Sequence, residues 1–142
     1  MGSVTPFPSN RTRPHVLVVD DDAGTCSLLR GLLAAEGVTV VGTATSGPDA
    51  IELVGRVDPD VVLMDLRMPH MSGIETTRRI RETAPRVQVV ILTVYDEEDL
   101  EESAQEAGVF CYLVKGCPPS LIRTVVHQAW AHGQRPTGTV SP

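Results

Sequence analysis

Apolar residues in this chain fall into five short, nearly unbroken runs, each followed by a stretch where apolar positions recur every three or four residues. His15 to Asp20, Val38 to Ala44, Val61 to Met64, Val87 to Thr93 and Val109 to Val114 read as strands buried on both faces. After the first run, Leu28, Leu29, Leu32 and Leu33 predict a helix over 23–36, with Asp22 as its cap and Gly37 as its stop. Ser46, Pro48 and Asp49 start a second helix, with proline in the first turn where its missing N–H is harmless. Ser72 and Glu75 form a capping-box pattern ahead of a third, over 73–83, with Ile74 and Ile80 as core residues and Pro85 beyond its end. Asp96 is the expected cap of a fourth, over 97–107, whose apolar face is only Leu100, Ala104 and Ala107. Pro118 and Pro119 open a fifth, for which Leu121, Ile122, Val125, Val126 and Ala129 supply the buried stripe.

Five strand–helix units without an internal repeat call for an α/β fold, an open parallel sheet with helices on both faces. Eight units would be needed for a barrel, and 142 residues are too few. The expected architecture is the flavodoxin-like (βα)5 doubly wound sheet with strand order 2-1-3-4-5, which puts strands 1 and 3 side by side at its centre. The domain is expected over 15–133. Residues 1–14, with Pro6, Pro8 and Pro14, read as a flexible arm, and 134–142 as a linker-like tail.

Composition narrows the class. A net charge of −6 argues against gripping nucleic acid or an anionic membrane directly. Cys26, Cys111 and Cys117 have neither metal-ligand spacing nor the number for a disulfide framework, so a reduced, cytoplasmic protein is expected. No apolar run is long enough to span a membrane. His15, His70, His127 and His132 show no metal spacing, Trp130 reads as a packing residue, and the acids from Asp96 to Glu106 read as a solvated helix face.

In such sheets the functional crevice lies beyond the carboxyl ends of the strands. Four strands end there in a polar or reactive residue: Asp20 with Asp21, Asp65, Thr93, and Lys115. Each alone has an ordinary explanation, since an Asp at a strand end is a common turn former and a Lys there a common solvated terminus. Together they set three carboxylates, a hydroxyl and an ammonium around one crevice. Two carboxylates ~4 Å apart repel by ~4 kcal/mol at an effective dielectric of 20, so they stay ionised together only with a compensating cation. Lys115 supplies one charge, and a water-filled mouth with few protein oxygens suits Mg²⁺ for the rest. That is equipment for receiving a phosphoryl group, with Asp65 as nucleophile.

The chain resembles the receiver domain of two-component response regulators over about Val16 to Gly133. The residues that carry the resemblance are Val-Val-Asp-Asp (18–21), Asp-Val-Val-Leu-Met-Asp-Leu-Arg-Met-Pro (60–69) with Ser72-Gly73-Ile74-Glu75, Ile-Leu-Thr (91–93) and Tyr-Leu-Val-Lys (112–115). The wording around Thr93 and Lys115 is most similar to the NarL/FixJ (LuxR-type) group. The resemblance implies Asp65 as phosphate acceptor, and Asp20, Asp21, Asp65 and the backbone carbonyl of Arg67 as ligands of Mg²⁺ (or Mn²⁺). It implies Thr93 as switch hydroxyl, Lys115 as phosphate contact and Tyr112 as aromatic switch residue. Arg67, Val94 and Tyr95 fall where phosphate lifetime is tuned. Gly116 and Cys111 depart from the commoner pattern of Pro and Gly at those positions.

The resemblance further implies a sensor histidine kinase as phosphodonor and a changed surface on helix 4, strand 5 and helix 5. That surface would meet a partner or a second copy, and DNA would be reached only through a C-terminal effector domain. No helix-turn-helix follows Gly133, so the chain is expected to be a stand-alone receiver acting by protein–protein contact or a regulator cut at its linker. Two rivals carry less. Residues 18–25 faintly resemble the haloacid-dehalogenase phosphatase motif, but Gly24 stands where that motif wants Thr or Val. A module that has dispensed with phosphorylation would not need the complete acidic cluster.

Overall fold

The computed structural model describes residues 11–94 and 98–134. Five parallel strands form one sheet in the order β2-β1-β3-β4-β5, as the pattern predicts. The strands are β1 (His15–Val19), β2 (Thr39–Ala44), β3 (Val61–Met64), β4 (Gln88–Thr93) and β5 (Cys111–Val114). The helices are α1 (Ala23–Ala35), α2 (Gly47–Val57), α3 (Gly73–Thr83), α4 (Glu98–Glu106) and α5 (Pro119–Gly133). β3 and β4 are buried along their whole length, and only His15 of β1 is partly exposed. The edge strands β2 and β5 are mostly half-buried, because each has a neighbour on one side only.

Alternation along the central strands divides the core in two. Leu17, Val19, Val62, Met64, Val89 and Ile91 face α2, α3 and α4. Val16, Val18, Val61, Leu63, Val90 and Leu92 face α1 and α5. The helix starts form where the capping residues predict. The side chains of Asp22, Ser46 and Ser72 accept from the backbone N–H groups of Thr25, Asp49 and Glu75. The capping box at Ser72 is only half made, because the Glu75 carboxylate turns outward to Arg78 and Arg79. Gly37 and Gly108, at φ +79° and +92°, end α1 and α4 in the left-handed conformation. The expected cap Asp96 lies outside the described residues.

Three sequence expectations change. Of the α1 leucines only Leu29 and Leu33 are buried, while Leu28 is 62% and Leu32 38% exposed. Likewise Leu121 of α5 is 41% exposed although Ile122, Val125, Val126 and Ala129 are buried. A helix resting on a flat sheet buries a stripe about one side chain wide, and these three leucines lie on its flanks. Third, Arg11 belongs to the segment read as a flexible arm, yet it is held to the domain. It pairs with Asp60 at 3.0 Å and Asp58 at 3.7 Å. Asp60 also accepts from the His15 N–H at 2.8 Å, so one carboxylate ties this segment to the starts of β1 and β3.

Candidate functional site

The sheet's ladder continues past the strand ends and thereby aims the site. Val19 pairs with Met64, so the next residues, Asp20 and Asp65, emerge side by side. The Asp65 N–H donates to the Val19 carbonyl and the Asp20 N–H to the Ala44 carbonyl. On the other flank, Thr93 pairs with Val114 and the Lys115 N–H donates to the Thr93 carbonyl at 2.7 Å. All four residues are thus fixed by backbone hydrogen bonds of the sheet rather than by loop conformation.

Asp20, Asp21 and Asp65 each bring a carboxylate oxygen within 4.8 Å of the others. Asp20 and Asp65 are 3% and 7% exposed, Thr93 is fully buried, and Asp21 is exposed. Lys115 Nζ reaches Asp20 Oδ2 at 2.5 Å and Asp65 Oδ1 at 3.8 Å. Burial pushes the Asp65 carboxyl above its ordinary pKa and the Asp20 charge adds to this. Lys115, the Leu66 N–H and the Thr93 hydroxyl oppose both without cancelling them. Burial alone would lower the Lys115 ammonium, but its hydrogen bond to Asp20 and the charges of Asp65, Asp20 and Asp21 raise it overall.

Backbone groups complete the arrangement, and no side-chain pattern announces them. The Leu66 N–H donates to Asp65 Oδ1 at 2.9 Å and the Asp22 N–H to Asp20 Oδ1 at 2.9 Å, holding both carboxylates in place. Gly73 is required by proximity: a Cβ there would stand 2.1 Å from the Asp65 carbonyl oxygen. Its N–H donates to the Leu66 carbonyl at 2.7 Å, folding the loop after β3 back against the site. Within that loop His70 adopts φ +69°. Gly116, directly after Lys115, has φ +102°, which glycine adopts without strain.

The other sequence candidates lie around this centre. Arg67, in the loop after Asp65, and Val94, next to Thr93, have exposed side chains. Tyr112 is half-buried on β5, packed against the core under α4. Tyr95 lies outside the described residues. Three carboxylates against one ammonium leave a net negative pocket built only of oxygen donors, with no His or Cys among them, and this suits a hard divalent cation. Burial pushes the thiols of Cys26, Cys111 and Cys117 up from their ordinary value, the opposite of what an activated thiolate needs. Among the described residues no helix is long and apolar enough to cross a membrane.

Comparison with known proteins agrees with this geometry. Residues 16–127 match the family model described as response regulator receiver domain. The chain is 39% identical over 121 residues to the response regulator GacA of Pseudomonas aeruginosa, covering 84% of this chain and 56% of that protein. It is 35% identical over 124 residues to the nitrate/nitrite response regulator protein NarL of Escherichia coli, covering 87% and 57%. The chain therefore spans about half the length of these curated relatives. Among solved structures, the signal receiver domain of the putative response regulator NarL from Mycobacterium tuberculosis superposes with a TM-score of 0.80. It is 29% identical, over 85% of this chain and 98% of that one. A sheet of order 2-1-3-4-5, an acidic cluster at the ends of β1 and β3, and these matches make this chain a member of the response regulator receiver domain family, a domain of phosphorylation-dependent signalling.

Proposed function

We propose that Asp65 accepts a phosphoryl group from a phosphohistidine of a sensor histidine kinase. The observation that carries this reading is the convergence of Asp20, Asp21 and Asp65 within 4.8 Å beside the Lys115 ammonium. An Asp65 carboxylate oxygen attacks phosphorus, the phosphorus–nitrogen bond breaks, and its electron pair stays on the imidazole nitrogen of the donor. The Leu66 N–H sets the carboxylate's direction, and the raised Lys115 ammonium keeps a permanent positive charge where the phosphoryl oxygens arrive. Asp20, Asp21, Asp65 and the Arg67 carbonyl would hold Mg²⁺ or Mn²⁺, which supplies further neutralisation of the phosphoryl oxygens. An apolar groove of about 250 Å³ between α1 and α5 opens beside Lys115, with the exposed Leu28 and Leu32 on its wall. Exposed apolar surface at the mouth of a charged site gives a phosphodonor protein somewhere to rest.

Phosphorylation replaces one carboxylate charge by about −1.5 to −2. Thr93 and Lys115 close on the new group, Tyr112 turns into the space beside Thr93, and the surface of α4, β5 and α5 changes. Mobility concentrates in α4, which buries Ala104 alone. The similarity to GacA and NarL supports control of transcription as the output, in a cytoplasmic setting, with DNA reached only through an effector domain absent from these 142 residues. A stand-alone receiver acting by protein–protein contact is the alternative, and a different similarity supports an output other than DNA binding. A protein-glutamate methylesterase/protein-glutamine glutaminase of Geobacter metallireducens is 49% identical over 96 residues, 28% of its length.

The test is labelling by acetyl phosphate with Mg²⁺, read by intact mass. One phosphoryl group per chain is expected, lost slowly and absent from Asp65→Asn. Stoichiometric labelling of Asp65→Asn would refute the assignment, and continuous turnover of a phosphate ester would favour a phosphatase instead.

A further inference from the structure

We propose that Gly47, the first residue of α2, is a positioning residue for Asp65, acting through the loop after β3 and the first turn of α3. The inference rests on the phosphoacceptor reading above and adds to it a residue from outside the acidic cluster.

Gly47 follows the cap Ser46 and is buried. Its backbone is outside the left-handed region that Gly37, Gly108 and Gly116 occupy, so its conformation is open to other residues. What the position lacks is room. A Cβ there would overlap the Thr76 hydroxyl oxygen and stand 2.8 Å from Met71 Sδ and 3.1 Å from Met71 Cβ. The thioether end of Met71 can swing aside. Thr76 cannot, because it is fully buried and its hydroxyl donates to the Ser72 carbonyl at 2.8 Å.

Thr77, equally buried, donates to the Gly73 carbonyl at 2.7 Å, so two threonines brace the first turn of α3 as one piece. The same turn meets the site. The Gly73 N–H donates to the Leu66 carbonyl at 2.7 Å, and Gly73 leaves no space for a Cβ beside the Asp65 carbonyl oxygen. Two close contacts in series, Gly47 on Thr76 and Gly73 on Asp65, therefore link the start of α2 to the backbone of the phosphoacceptor. A close-packed interior passes a displacement along such a series instead of absorbing it.

Helix propensity by itself favours alanine over glycine at these positions. Gly55, also in α2, has open space where a Cβ would go, so alanine there changes the helix without crowding anything. It is the control for Gly47.

The experiment reads three quantities on the whole chain: the rate of acetyl phosphate labelling, the Mg²⁺ dissociation constant, and the metal-free backbone amide shifts of Asp65 and Leu66. Gly47→Ala is expected to displace both amides, to weaken Mg²⁺ binding and to slow labelling about fivefold to tenfold. Gly55→Ala should match the unaltered chain in all three. Gly47→Ala/Thr76→Ala, which removes the obstructing hydroxyl, should recover most of the rate, whereas Gly47→Ala/Thr76→Val, which fills the same space, should not. Met71→Ala, at a partly exposed position, withdraws the loop's contact with α2 without crowding it and should slow labelling about threefold. That variant decides the matter if Gly47→Ala does not fold. Equal slowing in Gly55→Ala, or equal rescue by Thr76→Val and Thr76→Ala, would overturn the proposal. If the unaltered chain is labelled and folded Gly47→Ala matches it in rate, affinity and amide positions, this inference alone fails. If Asp65 is never labelled while Gly47→Ala still displaces the Asp65 and Leu66 amides, the phosphoacceptor reading fails and the link from Gly47 to Asp65 stands.

Discussion

Lys115 Nζ lies 2.5 Å from Asp20 Oδ2 and 3.8 Å from Asp65 Oδ1, so a single ammonium from the end of β5 serves two buried carboxylates from β1 and β3. The pair spans 95 residues of sequence and closes the mouth of the sheet. Removing the cation leaves Asp20 and Asp65 facing each other with nothing between them. Lys115→Met is expected to lower stability by about 2 kcal/mol at neutral pH, below the full cost of breaking a buried pair because the lysine is partly exposed. Urea unfolding checks this, and an unchanged midpoint would show that the pair does not hold the strands' ends together.

The raised pKa of Asp65 has a definite sign in stability. Between the ordinary value of 3.8 and the higher folded one, the folded chain binds a proton that the unfolded chain has lost. This contribution is complete below the ordinary value and disappears as pH rises through the folded pKa. Ionised Asp65 therefore costs the metal-free protein stability at neutral pH. Asp65→Asn should raise that stability and flatten its pH dependence above the ordinary carboxylate range. Added Mg²⁺ should stabilise the unaltered chain, by about 2.7 kcal/mol at a hundredfold excess over its dissociation constant, and should do much less for Asp65→Asn. Thermal melts in chelator and in Mg²⁺ read both effects, and a less stable Asp65→Asn would contradict the argument.

Gly73 connects packing to the site. The Cβ of an alanine would sit 2.1 Å from the Asp65 carbonyl oxygen, which is itself backbone and cannot swing aside. Gly73→Ala should cost about 2–4 kcal/mol and also slow acetyl phosphate labelling, since Asp65 has to move with its backbone. A stable Gly73→Ala chain that labels at the unaltered rate would show that the loop has room to retreat.

His70 tests whether the loop stores strain. Its φ of +69° and the 2.7 Å bond from the Met71 N–H to the Pro69 carbonyl describe a γ-turn, of the kind that side chains with a Cβ oppose. Relief of strain and the greater freedom of unfolded glycine nearly offset each other. His70→Gly should accordingly stay within about 1 kcal/mol of the unaltered chain. A β-branched residue meets the full conflict, so His70→Val should lose about 1–2 kcal/mol. Equal stability of the two variants would mean that the turn relaxes at little cost.

Much of this protein is determined by its sequence alone, because local chemistry and period carry it. Five buried runs separated by helical periods specify a parallel sheet, and Asp22, Ser46 and Ser72 start helices by bonds to their own neighbours. Asp20, Asp65, Thr93 and Lys115 could be placed together before any coordinates, since parallel strands present all their carboxyl ends at one edge. Tertiary structure decided what depends on distance across the chain. Only the packed sheet shows that Lys115 bonds Asp20 more closely than Asp65, and that the N–H groups of Leu66 and Asp22 hold the carboxylates. The backbone carries no residue signature, so those donors are silent in sequence. Helical spacing marks Leu28, Leu32 and Leu121 as apolar but cannot say which side of a stripe the sheet covers. It likewise leaves Arg11 in an arm until Asp60 is folded beneath it. The stretch around Asp65 is therefore legible as chemistry in sequence, whereas the charge balance that governs that chemistry exists only once β1, β3 and β5 lie side by side.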